Sequence, residues 1–216
     1  MRKITVVDYG SGNLRNVMRA LEHIGAVFEV TSDAGDIGRA ERLLLPGVGA
    51  FGDCMHTLAR LGLTQALIDY MHQDRLYLGI CVGMQILFDV GREFGDHRGL
   101  GIIPGRVVRI PDKGVGGTPH KAPHVGWGVL QRPPPLESWK NTILEPLESL
   151  EGKASAYFVH SYMGVPDDPR HRVANVDYDG IPICAVVRHG NVRGCQFHPE
   201  KSGELGLAIL QHFLEM

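Results

Sequence analysis

Short, largely apolar runs at 4–7, 27–30, 43–45 and 76–80 each give way to residues at helical spacing, and this alternation constrains the fold more than any other feature of the chain. After the first run, Asp8-Tyr9-Gly10-Ser11-Gly12 breaks the strand; Leu14, Val17, Met18 and Leu21 then share one helical face as far as Gly25. Strands that are apolar on both sides must be covered on both sides, which is the condition of a parallel sheet between helices. The expected fold is therefore α/β: a mostly parallel central sheet flanked by helices on both faces. Residues 84–88 are expected on a helix that begins just after Cys81. In the second half, Pro and Gly punctuate strand-like runs at 106–110, 126–130, 156–159 and 183–187, which predicts antiparallel additions to the sheet in the C-terminal half. A strand at 192–197 and a helix at 205–213 close the chain. Residues 114–119 read as a mobile loop and Arg132-Pro133-Pro134-Pro135 as a stiff surface connection; neither is long enough to link domains.

The 216 residues suit a single domain spanning 1–216, with 44% hydrophobic and 21% charged residues to build an ordinary core and surface. A formal charge of −2 supplies no basic field for nucleic acid or an anionic membrane. The start, Met1-Arg2-Lys3 followed by a short apolar run to Asp8, is too short for a signal peptide, and no stretch reaches the roughly 20 apolar residues of a membrane span. A cytoplasmic protein is expected. Cys54, Cys81, Cys184 and Cys195 have no CxxC spacing and read as reduced thiols.

Gly79-Ile80-Cys81-Val82-Gly83 places a nucleophile between two glycines at a strand-to-helix junction. Such a turn exposes the nucleophile, and glycines allow its strained backbone and close neighbours. The helix beyond Cys81 favours a thiolate, and the Val82 N–H is free to donate to an oxyanion. A cysteine nucleophile also needs a base. Gly194-Cys195-Gln196-Phe197-His198-Pro199-Glu200 delivers one: His198 can take the thiol proton and return it to a leaving group, while Glu200 holds the imidazole tautomer and stabilises its charge.

Gly79-Ile80-Cys81-Val82-Gly83-Met84-Gln85 and Gln196-Phe197-His198-Pro199-Glu200 resemble the two signatures of class I glutamine amidotransferases. Four further blocks narrow the resemblance to the glutaminase subunits of imidazole glycerol phosphate synthase: Tyr9-Gly10-Ser11-Gly12-Asn13-Leu14, Leu45-Pro46-Gly47-Val48-Gly49-Ala50-Phe51, Pro123-His124-Val125-Gly126-Trp127 and Tyr157-Phe158-Val159-His160-Ser161-Tyr162. The blocks run from near the first residue to Ser202. The resemblance implies a Cys81, His198 and Glu200 triad and an oxyanion hole of backbone N–H groups from Val82 and the Val48–Gly49 loop. It also implies glutamine contacts from Gln85, Glu93, Ser161 and Tyr162. A cyclase subunit is the implied partner, forming a heterodimer, with Asn13, Asn16 and Trp127 as candidates for the shared surface; no cofactor is implied. Val82 stands where the family commonly has Leu, a change of little weight where a backbone N–H is what counts.

Two other signals are set aside. Gly47-Val48-Gly49-Ala50-Phe51-Gly52 fits a dinucleotide loop, with Asp69 downstream, but it follows the third strand rather than the first. His120 and His124 are spaced like metal ligands, but Pro123 intervenes, and no metal is expected. Two alternative readings of the same residues are a cysteine peptidase on a similar scaffold and a catalytically silent interaction subunit. Glu200, two residues after His198, is the feature that separates a glutamine amidohydrolase from the first, and the intact Cys81, His198 and Glu200 separate it from the second.

Overall fold

A computed structural model describes residues 3–119 and 121–216. Met1, Arg2 and His120 lie outside the described residues, and with them the reading of the chain's basic start and of the His120–His124 pair. The first half alternates as expected: β1 (Lys3–Val7), α1 (Leu14–His23), β2 (Val27–Thr31), α2 (Ala34–Arg39), β3 (Arg42–Gly47), α3 (Phe51–Arg60), α4 (Leu63–His72) and β4 (Leu76–Cys81). The apolar face read from the sequence of α1 is the one it buries, through Val17, Ala20 and Leu21. The short α2 begins where the Asp33 carboxylate accepts from the Asp36 N–H at 2.9 Å, a side-chain cap for an otherwise orphaned donor.

After the single-turn α5 (Val82–Gln85) come β5 (Phe88–Gly91), β6 (His97–Arg98), β7 (Ile103–Arg109), β8 (His124–Gln131), β9 (Ser155–His160), β10 (Tyr162–Pro166), β11 (Arg172–Tyr178), β12 (Ile181–His189), β13 (Val192–Cys195) and α6 (Gly203–Glu215). The nine-stranded main sheet has the order β2-β1-β3-β4-β13-β12-β11-β8-β9. Pairing from β2 to β13 is parallel, and from β13 to β9 it is antiparallel. One continuous apolar core runs through both halves, from Ile4 and Leu44 to Val186 and Phe213.

Two expectations need correction. The helix expected over 84–88 stops at Gln85, because the next carbonyls are claimed from outside: Leu100 N–H donates to Ile86 O at 2.7 Å and Ile102 N–H to Leu87 O at 2.9 Å. The apolar residues that mimic helical spacing there are buried by tertiary pairing, and Phe88 opens a strand. Second, the C-terminal strands do not all extend the main sheet; β10 and β7 join β5 and β6 in a separate four-stranded sheet of order β10-β7-β5-β6. The 114–119 segment is a hydrogen-bonded turn tied to the β11–β12 connection, with Val115 N–H donating to Asp179 O at 3.0 Å. Residues 132–150 are anchored by Trp139, fully buried with its indole N–H on Val173 O at 2.9 Å. Among the described residues, no helix is long and apolar enough to cross a membrane.

For the site, the decisive element is β13. It enters from the end of the chain and pairs in parallel with β4, Cys195 opposite Ile80, while β3 flanks β4 on the other side with Gly47 opposite Cys81. Three segments distant in sequence therefore leave the sheet side by side at the carboxyl ends of parallel strands, where open α/β sheets place their sites.

Candidate active site

Cys81 ends β4 and opens α5 at φ 55°, ψ −109°, a conformation that costs a non-glycine residue about 1–3 kcal/mol. Close packing enforces it. A side-chain carbon on Gly83 would overlap the Leu45 carbonyl oxygen, and one on Gly79 the Gly83 carbonyl. The buried Tyr77 hydroxyl donates to Gly83 O at 3.1 Å and holds the turn from below. The turn thus carries Cys81 into a cavity of about 330 Å³ lined by Val48, Gly49, Val82, Gln85, Glu93, Pro123, Val159, His160, Ser161, Tyr162 and His198.

His198 follows β13 and is fixed through its backbone: its N–H donates to Tyr157 O at 2.9 Å, and Ser202 Oγ donates to its carbonyl at 2.7 Å. The ring is fully buried, with Nδ1 2.7 Å from Glu200 Oε1. That carboxylate requires the proton on Nδ1 and leaves Nε2 for the cavity side. Nε2 is buried and, among the described residues, has no hydrogen-bond partner of ordinary geometry. Burial opposes the charged ring, but Cys81 first and Glu200 second outweigh it, raising the His198 pKa from 6.5 to about 9. At neutral pH the imidazole holds its proton beside the cysteine.

Nine of the residues expected from the sequence meet at this cavity: Cys81, His198, Val82, Val48, Gly49, Gln85, Glu93, Ser161 and Tyr162. Val82, as the first residue of α5, has an N–H without an acceptor inside the helix. Glu93 is not a free surface carboxylate, since its Oε2 accepts from Phe51 N–H at 2.9 Å at the start of α3. Gln85 directs its amide nitrogen to Tyr162 O at 3.1 Å and Gln196 Oε1 at 3.0 Å. The Tyr162 carbonyl also meets His160 Nδ1, and the Ser161 carbonyl accepts from Ile110 N–H, so both carbonyls belong to the scaffold.

Glu200 lies beneath His198, outside the cavity lining, as do Asn13, Asn16 and Trp127. Asn13 is half-buried and bonds Glu200 Oε1 at 2.6 Å, whereas Asn16 is exposed. Trp127 is 59% exposed between Val125 and Val129, its ring edge-to-face with Tyr157. Gln196, which the sequence pattern does not single out, is fully buried and donates from Nε2 to Cys81 Sγ at 3.8 Å. No local period marks it, because β13 ends at Cys195 and the chain bends at 196 and 197 before His198. His160 also lines the cavity, and burial lowers its pKa from 6.5 to about 4, so it is neutral at pH 7. Among the described residues, no three His, Cys, Asp or Glu side chains are grouped to hold a metal.

Comparison with known proteins places the chain in a family. Residues 5–216 match the glutamine amidotransferase class-I family model. The chain is 45% identical to imidazole glycerol phosphate synthase subunit HisH 1 of Legionella pneumophila, with 100% of each chain covered. It is 42% identical to the HisH subunit of Geobacter sulfurreducens, again over 100% of both. In fold it resembles a chain in the structure of PurLQS from Thermotoga maritima, at TM-score 0.73 and 24% identity over 99% of this chain and 98% of that one. A second solved glutamine amidotransferase aligns at TM-score 0.69 and 18% identity, covering 98% and 97%. The chain belongs to the class-I glutamine amidotransferases and, within them, to the HisH subunits of imidazole glycerol phosphate synthase.

Proposed function

We propose that the chain hydrolyses L-glutamine to glutamate and ammonia at Cys81 and passes the ammonia to a cyclase subunit. That partner forms imidazole glycerol phosphate and aminoimidazole carboxamide ribotide in histidine biosynthesis. The observation that carries the reading is the convergence, in one cavity, of a cysteine on a strained turn with a buried histidine whose far nitrogen is bonded to a carboxylate.

The Cys81 sulfur attacks the side-chain amide carbon, and the carbonyl oxygen becomes an oxyanion facing the N–H groups of Val82, Val48 and Gly49. His198 gives its proton to the amide nitrogen, the carbon–nitrogen bond breaks, and ammonia leaves a γ-glutamyl thioester. Water then attacks the thioester carbonyl and yields its proton to His198 as the carbon–sulfur bond breaks, which releases glutamate and restores the enzyme. Glu200 keeps Nδ1 protonated throughout. Gln85, Glu93, Ser161 and Tyr162 hold the amino-acid end of the substrate. Residues 1–216 act as one folded unit in the cytoplasm, without metal or cofactor, and all four cysteines are buried free thiols suited to a reducing compartment.

Ammonia is lost if it escapes to bulk water, so the donor must dock on its acceptor. The exposed row Val125, Trp127 and Val129 on β8 supplies an apolar face for the cyclase, with Asn16 a further contact. The test is glutamine turnover by the purified chain, alone and with a cyclase subunit. Cys81→Ala abolishes it in both; turnover that survives in the variant rejects the proposal.

A further inference from the structure

We propose that Asn13 is a positioning residue of the triad, which holds the Glu200 carboxylate in the orientation that His198 requires. The inference rests on the Cys81, His198 and Glu200 reading above. Asn13 is the N-cap of α1, a place where an asparagine side chain ordinarily accepts from an N–H of its own helix. Here it makes no such bond. Its Nδ2 instead donates to Glu200 Oε1 at 2.6 Å, the same oxygen that His198 Nδ1 meets at 2.7 Å.

Asn13 stands in the left-handed region, at φ 77° and ψ −5°. Asparagine tolerates that conformation better than other side chains with a comparable donor, and it is what turns the amide away from the helix and toward Glu200. The amide's orientation is set from the other end, where Asn16 Nδ2 donates to Asn13 Oδ1 at 2.8 Å. With the oxygen engaged by Asn16, only the nitrogen is left to face the carboxylate. Asn13 Nδ2 also lies 3.3 Å from His198 Nδ1; two donors do not bond each other, so both converge on Oε1.

The second carboxylate oxygen explains why this contact matters. Glu200 Oε2 is buried and has no hydrogen-bond partner among the described residues. Glu200 is therefore held through Oε1 alone, by His198 and Asn13. Glu200 also lines a cavity with Asn16, Arg19 and His23 of α1, the last two of them basic residues. Without Asn13, the terminal torsion of Glu200 is restrained by His198 only, and the carboxylate is free to turn toward that cavity. Cys195 on β13 is buried, and its thiol pKa is raised first by that burial and then by the nearby Glu200 charge. Since Asn13 does not line the substrate cavity, its loss affects turnover rather than glutamine binding.

The experiment uses the full chain and measures kcat, KM for glutamine, and kcat/KM from pH 5 to 10, with Cys81→Ala as the reference for the triad. Asn13→Gly removes the amide but keeps a residue that fits φ 77°. It is expected to lower kcat about tenfold, leave KM within about twofold, and move the alkaline limb down by about one unit as Glu200 support of the imidazolium weakens. Asn13→Asp keeps the shape but sets a like charge against Glu200, and is expected to lose more activity than Asn13→Gly. Asn16→Ala frees the amide to rotate and gives the same change in smaller measure, which serves if Asn13→Gly does not fold. Unchanged kcat and an unmoved alkaline limb in Asn13→Gly, or in Asn16→Ala and Asn13→Asp together, overturn the inference; so does a rise in KM at constant kcat. If Cys81→Ala is inactive while the Asn13 variants behave like the parent, only this inference fails. Turnover in Cys81→Ala is instead a failure of the triad reading.

Discussion

The Gln196 side-chain amide donates to the Cys81 sulfur across 3.8 Å from a fully buried position, and its own oxygen accepts from Gln85 at 3.0 Å. Gln196 therefore ties the nucleophile to the wall of the substrate cavity. Gln196→Leu keeps similar bulk but removes both bonds. It is expected to lower kcat/KM about tenfold, the scale of one weak bond to a reacting group, in steady-state glutaminase assays. A variant within twofold of the parent contradicts a role at the sulfur.

The turn around Cys81 is built from contacts that exclude side chains. Gly83→Ala places a carbon against the Leu45 carbonyl, backbone that belongs to the central sheet and cannot move aside. The expected cost is about 2 kcal/mol or more of stability in urea unfolding, accompanied by loss of activity as the turn shifts. An unchanged midpoint argues against enforced strain at Cys81.

Activity that depends on the His198 proton has a defined alkaline limit. Burial alone lowers the pKa of this ring, yet Cys81 and Glu200 reverse that and hold it at about 9. Because the folded value lies above the ordinary 6.5, the stability this contributes is complete below 6.5 and disappears as pH rises through about 9. Glu200→Gln removes one of the two supports, so the alkaline limb of kcat/KM moves downward by about one unit or more. A limb that stays in place means that Glu200 does not act on the ring.

His160 works in the opposite sense. Burial holds its pKa at about 4, below 6.5, so its contribution to stability is complete above 6.5 and is lost as pH falls toward 4. Between pH 7 and 5 this one group is expected to account for about 2 kcal/mol of lost stability. Urea unfolding at the two pH values should show a correspondingly flatter dependence in His160→Gln; equal slopes remove His160 as the source.

Trp127 is exposed, with its ring edge-to-face against Tyr157. Trp127→Ala should leave thermal stability within about 0.5 kcal/mol of the parent, while weakening assembly with a cyclase subunit at least about tenfold in a titration. Undiminished affinity moves the docking face elsewhere.

The parallel half of the fold is legible because local and global preferences agree there: β3 and β4 are buried runs without polar alternation, and α1 buries the stripe its spacing marks. The second half was read less well. Helical spacing after Cys81 misled because Ile86 and Leu87 satisfy their backbones with Leu100 and Ile102, a pairing no local pattern encodes. The four-stranded sheet is not legible for the same reason, since β5 meets β7, and β7 meets β10, only through the tertiary fold. At the site, Cys81, His198 and Glu200 announce themselves by residue type and spacing. Gln196 and His160 do not, because amide and imidazole side chains acquire their role only from what the tertiary fold places opposite them. Asn13 is marked by the sequence only as a candidate for the shared surface; its bond to Glu200 depends on a left-handed backbone angle that the sequence does not display.

The most direct measurement is mass spectrometry of the chain after rapid acid quench during glutamine turnover. A γ-glutamyl adduct, released by hydroxylamine, should be found on the peptide containing Cys81 and not on those containing Cys54, Cys184 or Cys195. Turnover without an adduct on Cys81, or an adduct on another cysteine, contradicts Cys81 as the nucleophile.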